Sequence, residues 1–160
     1  MKKIAIAILG GLIILAGAAI AAALSFNLSA LPDPGPTETA LALRAKNFLI
    51  RRASRDGVPP APIDSAKSVA EGQNRFGTEC GMCHGVNGRT PTDNGRWMYP
   101  RTVDLGSEPV QHYSDRELFW IIKNGIRLSG MPAFGKTQTD QHIWDLVHYA
   151  RTLRSVPIAR

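Results

Sequence analysis

Cys80-Gly81-Met82-Cys83-His84 sets two thiols three residues apart and places an imidazole directly after the second. Within one turn of chain the two sulfurs reach the vinyl groups on one edge of a porphyrin. The next residue then lies under the ring, with its Nε2 toward the iron. This is the attachment pattern of a c-type haem, in which both sulfurs become thioethers and His84 ligates the metal. The three attachment points are nearly adjacent, so no long loop has to be closed around the cofactor. Other chemistries suit these residues less well. A thioredoxin-like dithiol sits where a strand meets a helix and has no use for the histidine. A structural zinc needs a fourth ligand, and with no further cysteine in the chain only His112, His142 or His148 could supply it.

The elements that must position this turn are helical. Ser65 to Glu79 reads as a helix running into it, with Ser65 as cap and Val69, Gly72 and Phe76 along its buried side. After His84 the chain is punctuated by Gly85, Gly88, Pro91, Gly95, Pro100 and Gly106, too often for a long element, and a loop around the haem edge is expected. Arg96, Trp97, Tyr99 and Arg101 in that loop are donors of the kind haem propionates require, a solvent-facing role being the alternative for each. Ser114-Asp115-Arg116-Glu117 opens a middle helix with a capping box; Leu118, Ile121 and Ile122 form its apolar face and Gly125 closes it. Trp120 on this helix either donates to a propionate or packs in the core. Thr139 to Leu153 forms a last helix, capped by Thr139, with Ile143, Leu146, Val147 and Ala150 on one face and His142 and His148 at polar positions.

The haem turn, Gly130-Met131-Pro132 well downstream, and a final amphipathic helix containing Trp144 and Tyr149 together resemble a class I cytochrome c over residues 65 to 154. The resemblance implies an all-α cytochrome c fold, three main helices around one covalent haem c, with Gly72 and Phe76 of the first helix meeting Leu146 and Tyr149 of the last. It implies Met131 as the second axial ligand, a soft thioether that suits low-spin haem iron. Met82 and Met98 are expected as core filler. It also implies a backbone carbonyl, commonly from a proline, that accepts the Nδ1 proton of the histidine. Pro91 and Pro100 are candidates; the position before Asp104-Leu105, where relatives often carry proline, is Val103.

The same resemblance implies export, because such haems are attached outside the bacterial cytoplasmic membrane, and the N-terminus agrees. Lys2 and Lys3 precede an uncharged apolar run from Ile4 to Leu24, long enough at 1.5 Å per residue to cross a bilayer core of about 30 Å. Its length favours an anchor over a cleaved signal peptide, whose apolar region is usually about 7 to 15 residues. The positive-inside rule keeps the two lysines cytoplasmic and puts the rest on the far side. Pro32, Pro34 and Pro36 mark an extended stalk. Thr37 to Asp56 then reads as a helix, with Leu41, Ala45, Phe48 and Leu49 on one face and Arg44, Arg51, Arg52 and Arg55 on another. Such a helix either lies on anionic lipid or an acidic partner, or packs on its own domain with a solvated basic face. Gly57 to Pro62 is a second extended stretch. Three segments are therefore expected: an anchor at 1–26, a periplasmic linker at 27–64, and a haem domain at 65–160.

Net charge adds little. Seven basic and four acidic residues precede Ser65, and twelve and nine follow, so the overall +6 divides evenly and steering by the haem domain is modest. No nucleic-acid motif and no small-molecule substrate are indicated. A six-coordinate haem held by His84 and Met131 leaves no open position, which suits one-electron transfer and not catalysis. The expected function is a mono-haem carrier, not an enzyme, relaying electrons between membrane-bound redox proteins at the outer face of the cytoplasmic membrane. The alternatives are a fixed haem subunit of a larger membrane oxidoreductase, and a haem sensor or peroxidase-like protein with a labile Met131.

Overall fold

Helices alone make up the regular structure of the residues described by the computed structural model, 2–25, 27–63 and 66–154. They are α1 (Lys2–Leu24), α2 (Pro36–Ala53), α3 (Ala66–Arg75), α4 (Gly81–His84), α5 (Asp93–Arg96), α6 (Glu108–Gln111), α7 (Asp115–Asn124) and α8 (Asp140–Thr152). A π-helical turn at Phe76–Cys80 joins α3 to α4, and a 3-10 turn at Phe134–Lys136 precedes α8. The expected cap at Ser65 lies outside the described residues. The chain divides into two units, Met1–Pro32 and Asp33–Arg160.

In the first unit, α1 has 23 residues and a mean hydropathy of 2.7, long and apolar enough to cross a membrane. None of its residues is buried.

The second unit is organised by α8, which is buried at every position from Ile143 to Ala150. Two clusters flank it. Phe119 and Trp144 face each other with ring centroids 4.6 Å apart, packed with Leu118, Ile143, Val147, Val110 and Val58. Phe76, Leu146 and Tyr149 form the other, with Val69 and Cys80 against them. Leu105 and Ile122 touch both. The α3 and α8 backbones meet at Gly72, where a β-carbon would stand 2.6 Å from the Asp145 carbonyl carbon and 2.9 Å from Tyr149 Cβ. The capping box of α7 forms as expected, with Ser114 and Glu117 serving each other's backbone amides. Arg151 at the end of α8 ties the turn before α7, with Nε donating to Asp115 at 2.7 Å and Nη1 to the Gln111 carbonyl at 3.0 Å.

Two expectations change. His148 is buried, 6% exposed, and not at a polar surface position. Ser68 Oγ donates to Asp145 Oδ1 at 2.6 Å and lies 2.7 Å from His148 Nδ1. The one hydroxyl hydrogen goes to the carboxylate, so the imidazole donates to the hydroxyl oxygen. Ser68→Ala should therefore remove one hydrogen bond from the buried Asp145, which still accepts from Gln141 at 2.9 Å, and one from His148, at a cost of about 1–3 kcal/mol read as a lowered urea midpoint.

The helix expected from Thr37 to Asp56 runs from Pro36 to Ala53, entered at Gly35 without a side-chain cap. The stripe it buries is neither of the two anticipated faces. Ile50 and Ser54 are covered, Tyr113 donates to Asn47, and Arg116 closes the end by donating to the Arg55 carbonyl at 2.9 Å. The helix packs on α7 and leaves both its expected apolar and its expected basic side chains outside.

Candidate functional site

A short change of helical pitch builds the turn. Phe76, locked between Tyr149 and His84 at centroid distances of 5.2 and 6.3 Å, starts the π turn, and α4 follows at once. Cys80, Cys83 and His84 are thereby displayed on one bend, each half-buried, with both thiols free. Burial, then the charges of Glu79 and Cys83, push the Cys80 thiol up to about 12. A dithiol exchanging disulfides works through a thiolate of low pKa, so this pair is poorly suited to that task. No strand occurs among the described residues, which removes the thioredoxin setting as well.

His84 has a defined tautomer. Its Nδ1 lies 3.2 Å from the Val103 carbonyl oxygen, which can only accept, so Nδ1 carries the proton and Nε2 keeps its lone pair. Burial lowers the pKa of the ring against the opposing effect of that hydrogen bond, favouring the neutral form that a metal requires. The acceptor is thus Val103, not Pro91 or Pro100. Its carbonyl is fixed from both sides: Thr102 N donates to the Gly95 carbonyl and Leu105 N to the Gly88 carbonyl, each at 2.9 Å. Thr92 adds a clamp that sequence reading did not find. Its hydroxyl donates to the Met82 carbonyl at 2.6 Å and its amide to the Cys83 carbonyl at 3.1 Å, and the same hydroxyl caps α5. A threonine three residues before a glycine is the only local sign of it.

Met131 sits in a tight turn at the end of α7. Ile126 N donates to the Met131 carbonyl at 3.3 Å, and Met131 N donates to Ser129 Oγ at 3.2 Å. Met98 is not plain filler: its thioether lies against Gly130, with Cε 3.1 Å from where a β-carbon would be, and joins the His84-side loop to the Met131 turn. Met82 is solvent-exposed. The other histidines are engaged elsewhere, His112 with Glu108 at 3.1 Å, His142 with Arg75 at 2.8 Å, and His148 with Ser68. Among the five expected propionate donors, Arg96 pairs with Asp93, Tyr99 donates to Glu38 and Arg101 pairs with Asp33 at 2.5 Å. Trp97 is 69% exposed, and Trp120 packs half-buried on the α7–α8 core. No group of three or more potential ligands for a bare metal ion occurs among the described residues. Two thiols and a neutral imidazole of fixed tautomer on one turn are the set a covalent haem needs.

The comparison with known families places the chain among haem proteins. The family described as cytochrome c oxidase, cbb3-type, subunit III matches residues 67–149, from α3 through the haem turn to α8. The chain belongs to this cytochrome family. It is a class I c-type cytochrome, a haem electron-transfer protein, and membership implies haem c. No curated protein matches the chain. Among solved structures it is similar to a chain of the reducing HAO-like protein complex of Kuenenia stuttgartiensis, at 21% identity and a TM-score of 0.52, over 62% of this chain and 49% of that one. It thus spans about half of that relative, and the likeness is one of fold. A c-type cytochrome, KustC0563, gives 26% identity and a TM-score of 0.47, over 52% of this cytochrome and 98% of that chain.

Proposed function

We propose that this cytochrome carries one haem c, attached at Cys80 and Cys83 and ligated by His84 and Met131, and that it passes single electrons between membrane-bound redox proteins at the outer face of the cytoplasmic membrane. The observation that carries the reading is the His84 to Val103 hydrogen bond, which commits the ring to present Nε2 to the iron. When bound, the haem supplies the one-electron chemistry. The chain's part is to hold two strong-field ligands in place through Val103 on one side and the Ile126 to Met131 turn on the other, so that coordination stays the same in both oxidation states. Lys2 and Lys3 at the start of α1 favour a single span with the haem domain on the periplasmic side. Arg96, Trp97, Arg101 and Trp120 remain the donors nearest in kind to what the propionates need; rearrangement of the Arg96–Asp93 and Arg101–Asp33 pairs would release the two guanidiniums.

The test is the absorption spectrum of the dithionite-reduced protein with and without carbon monoxide. An unchanged spectrum is expected, because a firm sixth ligand closes the iron. Ready formation of an adduct would sink the carrier reading in favour of a sensor or peroxidase-like one. The family description, a subunit of a cbb3-type oxidase, favours one second reading, a fixed haem subunit of a membrane oxidoreductase. Co-purification with a stoichiometric partner from detergent-solubilised membranes distinguishes it from a mobile carrier.

A further inference from the structure

Beyond its first turn, where Glu38 accepts from Tyr99, the outer face of α2 is covered by no other element among the described residues, although it carries Leu41, Phe48 and Leu49. At 100° per residue the buried stripe is centred on Ile50 and ends at Ser54, and Leu41, Ala45, Phe48 and Arg52 point the opposite way, with Arg44 beside them and Arg55 in the turn that follows the helix. Leu41 is 62% exposed, Phe48 65% and Leu49 58%. A cleft of about 720 Å³ lined by Phe48, Arg51, Arg52, Arg55 and Asp56 opens on the same side. Arg51 reaches Glu117 at 3.7 Å, while no ion pair engages Arg44, Arg52 or Arg55 among the described residues. A phenyl ring and two leucines interleaved with three uncommitted guanidiniums match an interface of apolar depth and negative surface.

We infer that this face docks on an anionic membrane surface, with Leu41, Phe48 and Leu49 entering the headgroup boundary and Arg44, Arg52 and Arg55 meeting lipid phosphates. Interfacial helices work in this way, and arginine stems snorkel so that the charge stays at headgroup level. Lipid is favoured over an acidic protein by connectivity. Only eleven residues, 25–35, separate α1 from α2, a stretch that spans about 40 Å at full extension, so a chain anchored through α1 keeps this face within reach of a bilayer at high effective concentration. The helix is already formed on α7, so contact carries the cost of ordering side chains but not that of folding the helix. The inference rests on the anchoring part of the proposed function.

The experiment uses the full-length holoprotein with Ala45→Cys labelled by an environment-sensitive thiol dye, the haem thioethers leaving no other reactive thiol. The protein is placed in nanodiscs of phosphatidylcholine alone or mixed with phosphatidylglycerol. A blue-shifted emission is expected only with phosphatidylglycerol, and it should be lost in high salt and in the Arg44→Gln/Arg52→Gln/Arg55→Gln variant. Water-like emission in both bilayers overturns the proposal and leaves the face to an acidic protein. An equal shift in both overturns the anionic preference. Failure of the holoprotein to enter nanodiscs at all instead rejects the anchor, and the docking proposal with it.

Discussion

Replacing Gly72 with alanine is expected to be among the most damaging single changes in the haem domain, costing about 3 kcal/mol or more. The added β-carbon would meet the backbone of Asp145, whose carbonyl carbon is 2.6 Å away, and Tyr149 Cβ at 2.9 Å. Neither is the tip of a flexible side chain, so relief requires moving α3 off α8. That would separate Phe76 from Tyr149 and Ser68 from Asp145 and His148, loosening the π turn that leads to Cys80. Out of a typical total of 5–15 kcal/mol, such a loss shows as a much lower urea midpoint and a reduced yield of holoprotein. Gly77→Ala, five residues along on the exposed π turn with nothing within 4 Å of the added carbon, is the matched control. It should be neutral or slightly stabilising, by up to about 1 kcal/mol. Similar midpoints for the two variants would refute the close-packing account.

Met131→Ala is expected to change the iron's behaviour from closed to open. With a thioether bound, the reduced protein forms no carbon monoxide adduct, and the ferric form shows sulfur-to-iron charge transfer. Without it the adduct should form completely, the charge-transfer band should vanish, and the reduction potential should fall, since thioether ligation favours the ferrous state. Met98→Ala separates ligand from neighbour. The Met98 thioether packs on Gly130, so its loss should loosen the turn yet keep the band. If Met98→Ala removes the band and Met131→Ala retains it, the two methionines exchange roles and the assignment made here fails.

What could be read from the chain alone was what depends on neighbours in sequence. The haem motif spans five residues, the α7 capping box four, and the α8 face repeats every three or four, so each is complete within one turn or two. The features that escaped reading depend on distant partners. Val103 accepts from His84 nineteen positions earlier, and any residue has a carbonyl to offer, so side-chain identity gave no signal. Ser68 finds Asp145 and His148 some eighty residues away, and nothing around His148 distinguishes a buried histidine from a surface one. On α2 the periodicity was real, but it identified a face that stays outside. The side chains that seat the helix, Asn47, Ile50 and Ser54, look unremarkable until α7 is laid against them. Arg96 and Arg101, expected to face haem propionates, pair in the fold with Asp93 and Asp33, and composition offers no way to rank such acid partners against a propionate.

The pairing of α3 with α8 joins the two ends of the haem domain, and Arg151 closes the last seam. On the export proposed above, the motif at Cys80 to His84 clears the membrane some 70 residues before α8 is complete. During that interval Gly72 has no backbone to meet and Phe76 no tyrosine to face, so the two thiols are presented on an open strand of polypeptide. The folded turn that holds Cys80 and Cys83 is therefore completed only when the last helix arrives against Phe76.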